Sequence, residues 1–358
     1  MGRSDPARRA VRRLGAALLG AAVLTAAASG KGRADAGTLD MVRERGVLNC
    51  GVADLGRYLA GTDAQGRWVG FYPDLCRAVA AAVLKDAEAV AFMPATMGVR
   101  LDGLRTGEMD LLMTPTTWTL EREADQGIGF PAVAFYDGQG FLAESPEAAA
   151  AMTAGKPMRI CVVAGTTSER NLADLIRAGD RPWTLLTVKT RQGRNEALLQ
   201  GRCDVLSADR LDLAEAREVL RVHGRALVLL PDVMSREPVG PAVRQDDPQW
   251  AAVVRWVMFA LILGEEKGIT AAAAAHPASV RGDGETMRLL GRQDGAGQGP
   301  GIGQGLGLDP GWAARALAAV GNYGDVFERH FGAGGLKLER GHNALWRDGG
   351  LLYAPPFR

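Results

Sequence analysis

The feature that most constrains this chain is a repeated alternation of short apolar strands and helices, broken twice by extended, glycine-containing stretches. Residues 39–45 read as a helix and 46–52, Gly-Val-Leu-Asn-Cys-Gly-Val, as a short buried strand. A helix follows at 73–84 with Pro73 in its first turn, then a strand at 89–93, a helix at 97–106 ended by Gly107, and a strand at 109–113. Short apolar strands separated by helices imply a mostly parallel α/β sheet. The pattern restarts after 134–144, with strands expected at 159–163, 185–188, 203–206 (ending at Asp209) and 227–230. Helices are expected between them at 169–178, 191–200 and 213–222. A second extended stretch at 238–243 returns the chain to the first unit, and 250–263 is a strongly apolar helix. The expected architecture is therefore two α/β units joined by crossings near 138–143 and 236–241.

The N-terminus has a different logic. Arg8, Arg9, Arg12 and Arg13 precede an apolar run over 14–28, followed by Ala34-Asp35-Ala36. A basic start, a short apolar segment and a small-x-small site form the layout of a secretory signal peptide, expected over 1–36. The run is shorter than the roughly 20 residues that a membrane-spanning helix needs. Removing 1–36, with its seven basic and two acidic residues, takes the net charge from +1 to −4. That balance gives no support for a nucleic-acid binder.

Four cysteines, Cys50, Cys76, Cys161 and Cys203, fall after the signal segment, and none forms a CxxC pair. In an exported protein an even count favours disulfides, with three connectivities open and free buried thiols as the alternative. The four histidines (His223, His276, His330, His342) do not sit at ligand spacing from them, so no zinc site is expected. Residues 292–308 are rich in glycine but follow no strand, which removes the dinucleotide-loop reading.

The residues that could hold a ligand cluster after strand ends. Thr114-Pro-Thr-Thr-Trp-Thr-Leu-Glu-Arg122 follows the third strand, where α/β sheets bind ligands. Arg122 offers a planar fork that fits a carboxylate. Gly165-Thr166-Thr167 opens a helix, and Asp209 follows a strand of the second unit. An arginine in one unit and an aspartate in the other suit a zwitterion held between them. Each also has a plainer role: Arg122 as a solvated residue, Asp209 and Thr167 as helix caps.

The chain resembles the type 2 periplasmic substrate-binding proteins of polar amino acid ABC transporters, and among them the general L-amino-acid-binding proteins. The similarity rests on Trp68-Val-Gly-Phe71, Thr116-Thr-Trp-Thr-Leu120, Tyr136-Asp-Gly-Gln-Gly-Phe141, Gly201-Arg-Cys-Asp204, Gly240-Pro-Ala-Val-Arg-Gln245 and Gly350-Leu-Leu-Tyr-Ala-Pro-Pro-Phe-Arg358. It implies a two-lobed fold, with the first lobe at 37–140 plus 241–358 (an extension beginning near 265) and the second at 141–240. It implies that Arg122 binds the ligand carboxylate and Asp209 its ammonium. Thr117, Trp118, Thr119, Thr166 and Thr167 complete the ligand-binding set. The implied protein is a periplasmic monomer that closes on an L-amino acid and delivers it to permease subunits, with no catalytic residue, cofactor or metal. The competing class is a periplasmic dehydratase on the same fold, acting on prephenate or arogenate.

One loop departs from the family. Ala53 and Leu59 stand where relatives have a polar and an aromatic residue, so an apolar side-chain preference is expected. Pairing within lobes leaves a hinge free, so Cys50–Cys76 and Cys161–Cys203 are the expected disulfides.

Overall fold

In the first sheet Leu48–Val52 is the central strand, parallel to Val90–Pro94 on one side and Leu111–Leu112 on the other. Leu48, Cys50 and Val52 are fully buried, as in a parallel strand covered on both faces. The computed structural model describes residues 1–2, 37–96, 99–179, 181–292 and 301–358; nearly all of the expected signal segment, with its expected cleavage point, and 293–300 of the glycine-rich stretch lie outside them. Helix Phe71–Leu84 begins two residues before Pro73 and packs its alanine-rich faces into the core. Cys76 on this helix is bonded to Cys50 on the central strand, with Cα atoms 6.2 Å apart. The helix expected at 97–106 is shorter, Arg100–Arg105, with Met97 and Gly98 outside the described residues.

The second sheet has five strands in the order Trp183–Val188, Met158–Val163, Val205–Asp209, Gln139–Ala143, Val228–Leu229. The first three run parallel, and the last two are antiparallel additions. Cys161 on its second strand is bonded to Cys203 at a Cα separation of 5.8 Å, so both expected pairings are present. Between the sheets the chain crosses twice. Phe135–Asp137 and Glu237–Val239 pair antiparallel in these crossings. Two mostly parallel α/β lobes joined by two crossing strands is the expected fold class.

Two helices start earlier than the sequence pattern suggests, for a reason that decides the chemistry below. The helix expected at 169–178 is Thr167–Arg177, because Thr166 is its cap: its hydroxyl accepts from the Glu169 N–H at 3.1 Å. The helix expected at 213–222 is Arg210–Arg221, and its first N–H groups are satisfied from a distance. The Asp137 carboxylate, on the first crossing strand, accepts from the Arg210 and Leu211 N–H groups at 3.1 and 3.2 Å. A cap supplied by a residue over 70 positions away leaves no local signal.

The segment after 265 packs against the helices that cover the first sheet. Helix Trp312–Val320 packs along Phe71–Leu84, and Phe357 is buried against Trp256 and Trp312. The extension also grips the first crossing. The Tyr323 hydroxyl donates to the Ala134 carbonyl at 2.8 Å, and the Asn343 amide brackets the Tyr136 backbone at 2.7 and 3.0 Å. Among the described residues no helix is long and apolar enough to cross a membrane.

Candidate ligand-binding cavity

A cavity of about 580 Å³, its open mouth included, collects residues from both lobes. Five of the seven candidate ligand residues line it: Thr117, Arg122, Thr166, Thr167 and Asp209.

Arg122 reaches it from the segment after Leu111–Leu112. Its guanidinium donates to the Thr117 carbonyl, and its own N–H donates to the Thr119 hydroxyl at 3.3 Å. Thr117 in turn bridges Val239 of the second crossing, which ties this wall to the hinge. Burial lowers the Arg122 pKa, and the charges of Asp209 and Glu237 oppose that shift.

Thr119 and Trp118 do not line the cavity. Thr119 acts through the Arg122 backbone, while the Trp118 ring is 39% exposed, stacks on Phe130 and donates to Glu123. The alternation of the extended segment sends the two neighbouring side chains of Thr117 and Trp118 to opposite sides.

On the opposite wall, Thr167 is not the cap, because Thr166 takes that role. The Thr167 hydroxyl is left at the cavity, 3.4 Å from the Glu237 carboxylate of the second crossing. Asp209 occupies the N-cap position of Arg210–Arg221 but makes no capping bond, since Asp137 does that work. Among the described residues the Asp209 side chain accepts no hydrogen bond. Its pKa is raised well above the usual carboxylate range, first by burial and then by the charges of Asp137, Glu237 and Asp212. A cation placed beside it would reverse both effects.

Four charged residues of the lining had no signal in the sequence reading: Arg100, Arg191, Arg194 and Asp212. Asp212 accepts from Arg191 at 2.6 Å and from Arg194 at 2.8 and 3.1 Å. Burial would raise its pKa, but these two guanidiniums hold it below the usual range. Arg194 is fully buried.

The divergent loop corrects one expectation. Leu59 is fully buried in the core and Ala53 does not reach the cavity; of this loop only Leu55 lines it. Neither substitution therefore lines the cavity. The loop lies against the other lobe: Gly56 sits directly over Glu215 on Arg210–Arg221. A Cβ on Gly56 would stand 2.0 Å from a Glu215 oxygen, and Gly56 has φ +97°. Only glycine fits there.

Two α/β lobes with a charged cavity between them define a hinged solute receptor. The chain belongs to the bacterial extracellular solute-binding proteins, family 3, which residues 51–266 match. It is 40% identical over 328 residues to the "Glutamate/glutamine/aspartate/asparagine-binding protein BztA" of Rhodobacter capsulatus, covering 91% of this chain and 95% of that protein. It is also 40% identical over 343 residues to the "General L-amino acid-binding periplasmic protein AapJ" of Rhizobium johnstonii, with 96% and 98% covered. Among solved structures, an "ABC transporter / periplasmic binding protein from Brucella ovis with glutathione bound" is 39% identical with a TM-score of 0.83. That match covers 90% of this chain and all of the other.

Proposed function

We propose that this protein is the exported binding component of an amino acid ABC transporter. It clamps a free L-amino acid between lobes at 37–140 plus 241–358 and at 141–240, then presents it to membrane permease subunits. The observation that carries this reading is the opposition of Arg122 and Asp209 across one cavity, with the Asp209 carboxylate accepting no hydrogen bond among the described residues. The Arg122 fork takes the α-carboxylate, and Asp209 takes the α-ammonium. Thr117, Thr166 and Thr167 contribute hydroxyl or N–H contacts, and Thr119 positions Arg122. Trp118 is assigned no ligand contact. Closure brings the walls together, and an ion pair of Arg170 with Glu121, beside Arg122, spans them. The amino acid and glutathione ligands in the names of the relatives all carry this α-amino acid group.

The reading includes export to the periplasm with removal of 1–36 after Ala36, and a monomer that binds no nucleic acid. It is a receptor rather than an enzyme. A dehydratase needs a general acid beside the substrate. The described lining holds no histidine, glutamate or lysine, and of its two carboxyls Asp212 is engaged by two arginines. Titrating the purified protein with each amino acid by calorimetry, beside a product assay with prephenate, tests this. Saturable heat with an amino acid and no turnover is expected; turnover without amino acid binding would reverse the assignment.

A further inference from the structure

Each crossing between the sheets is anchored on both sides, and the anchors change from one lobe to the other at a single step. On the first crossing the Tyr323 hydroxyl holds the Ala134 carbonyl. The Asn343 amide holds Tyr136: its oxygen accepts from the Tyr136 N–H at 2.7 Å, and its nitrogen donates to the Tyr136 carbonyl at 3.0 Å. One residue later the anchors belong to the second lobe. The Asp137 carboxylate caps Arg210–Arg221, and the Gly138 carbonyl accepts from the Arg210 N–H at 3.0 Å. On the second crossing Val239 bridges Thr117, and the Pro238 carbonyl accepts from the Trp118 N–H at 2.9 Å, both first-lobe contacts. Glu237, one residue earlier, is held by Thr167 and Asn171 of the second lobe, each at 3.4 Å. The register pairs Asp137 with Glu237 and Tyr136 with Pro238, so both changes fall at one level of the ribbon.

The two crossings differ in stiffness at that level. Pro238 fixes its own φ and restricts the residue before it. The turning that closure needs therefore falls mainly on the first crossing, at the step that Asn343 borders. Asn343 is 3% exposed, and its own backbone is fixed. Its carbonyl accepts from the Arg340 guanidinium at 2.9 and 2.8 Å, and Arg340 pairs with Glu265 at 2.9 Å. Asn343 lies in the C-terminal extension, beyond the residues 51–266 that match the family.

We propose that the lobes pivot at the Tyr136–Asp137 and Glu237–Pro238 peptide units, and that Asn343 is the positioning residue for the first-lobe side of that pivot. This deepens the receptor reading and rests on it. The lobe boundaries proposed at 140/141 and 240/241 then move to 136/137 and 237/238. Asn343 touches no ligand. It acts through Tyr136 on the next residue, Asp137, which caps the helix that Asp209 begins. Without the amide, the first-lobe side of the step must be ordered each time the lobes close, and that ordering is subtracted from ligand affinity.

The test titrates L-glutamate and L-glutamine into variants shown to be folded by circular dichroism, with dissociation followed by stopped flow. Asn343→Ala is expected to weaken binding by roughly fivefold to 30-fold, the equivalent of ordering about one residue's backbone, through faster dissociation. Tyr323→Phe removes the extension's other contact described on this crossing, two residues before the pivot, and should stay within about twofold of the wild type. Loss of fold support alone would lower the melting temperature of either variant without changing the affinity of the folded protein. Hydrogen exchange on the wild type needs no variant: the Tyr136 amide should be protected with and without amino acid. Wild-type affinity in Asn343→Ala, an equal loss in Tyr323→Phe, or free exchange of the Tyr136 amide in the ligand-free wild type would each overturn the proposal. A wild type that bound no amino acid would sink the receptor reading instead, and the exchange result would still decide the brace.

Discussion

Asp209 and Asp212 lie three residues apart at the start of one helix and face one cavity, yet they have opposite chemistry. Asp212 is closed off by Arg191 and Arg194, and its pKa is driven down in spite of burial. Asp209 has no donor among the described residues, and its pKa is driven up by burial and neighbouring carboxylates. Burial is common to both, so it does not separate them; the presence of a donor does. The wall around Asp212 is complete within the protein. The wall of Asp209 and Arg122 is completed by a ligand in the reading proposed here.

The largest expected effect breaks the finished wall. Asp212→Ala leaves Arg191 and the fully buried Arg194 without their shared carboxylate. Removing one partner of a buried pair costs about 3–5 kcal/mol of stability. Chemical denaturation should show that loss, and a variant as stable as the wild type would mean the network carries no structural role.

The second wall should respond in affinity rather than stability. Arg122→Ala and Asp209→Ala are each expected to weaken amino acid binding by about 2–5 kcal/mol, roughly 30- to 5000-fold. For Asp209→Ala the melting temperature should stay close to that of the wild type, because among the described residues Asp209 accepts no hydrogen bond. Calorimetry and thermal denaturation on the same samples check both halves. Binding within about threefold of the wild type would remove that residue from the site.

The two threonines of the Gly165-Thr-Thr turn sharpen the contrast at smaller scale. Thr166 caps its helix and Thr167 does not. Thr166→Ala should cost about 1 kcal/mol of stability. Thr167→Ala should leave the melting temperature nearly unchanged and weaken ligand binding by about 1 kcal/mol, one hydrogen bond. Were the two variants to exchange effects, the cap and the ligand contact would be assigned to the wrong residues.

What was legible in the sequence follows the range of the forces involved. Buried parallel strands such as Leu48–Val52 and Met158–Val163 are apolar throughout, so their alternation with helices was visible. The cysteine pairing followed from assigning each cysteine to a lobe. The start of Arg210–Arg221 was misplaced by three residues because its cap, Asp137, comes from a distant crossing strand. That same substitution frees Asp209, so the plainer reading of Asp209 as a cap could not be judged locally. Arg100, Arg191 and Arg194 were missed because an arginine on a helix ordinarily reads as a solvated face, and nothing local marks it as buried. In the loop at 53–59 the backbone direction decides which side chain turns inward, and that was Leu55 rather than Leu59.

The smallest expected effect concerns a third carboxylate on the same helix, Glu215, one turn beyond Asp212. It is 3% exposed, and its pKa is raised to about 7, chiefly by burial, with Arg191 and the Tyr58 N–H opposing. An unfolded glutamate titrates near 4.3. Between those values the folded protein holds a proton that the unfolded chain has released, so the folded state binds more protons and stability falls as pH rises through this window. Glutamine is close to glutamate in shape and carries no charge at any pH. Glu215→Gln should therefore match the wild type near pH 5 and gain on it as pH rises to 8, by about 1–3 °C in melting temperature for a chain of this size. Asp137, also raised to about 7 by burial, is present in both proteins and cancels in the difference. A difference that stays flat from pH 5 to 8 would place Glu215 with Asp212, as a carboxylate whose charge the fold already satisfies.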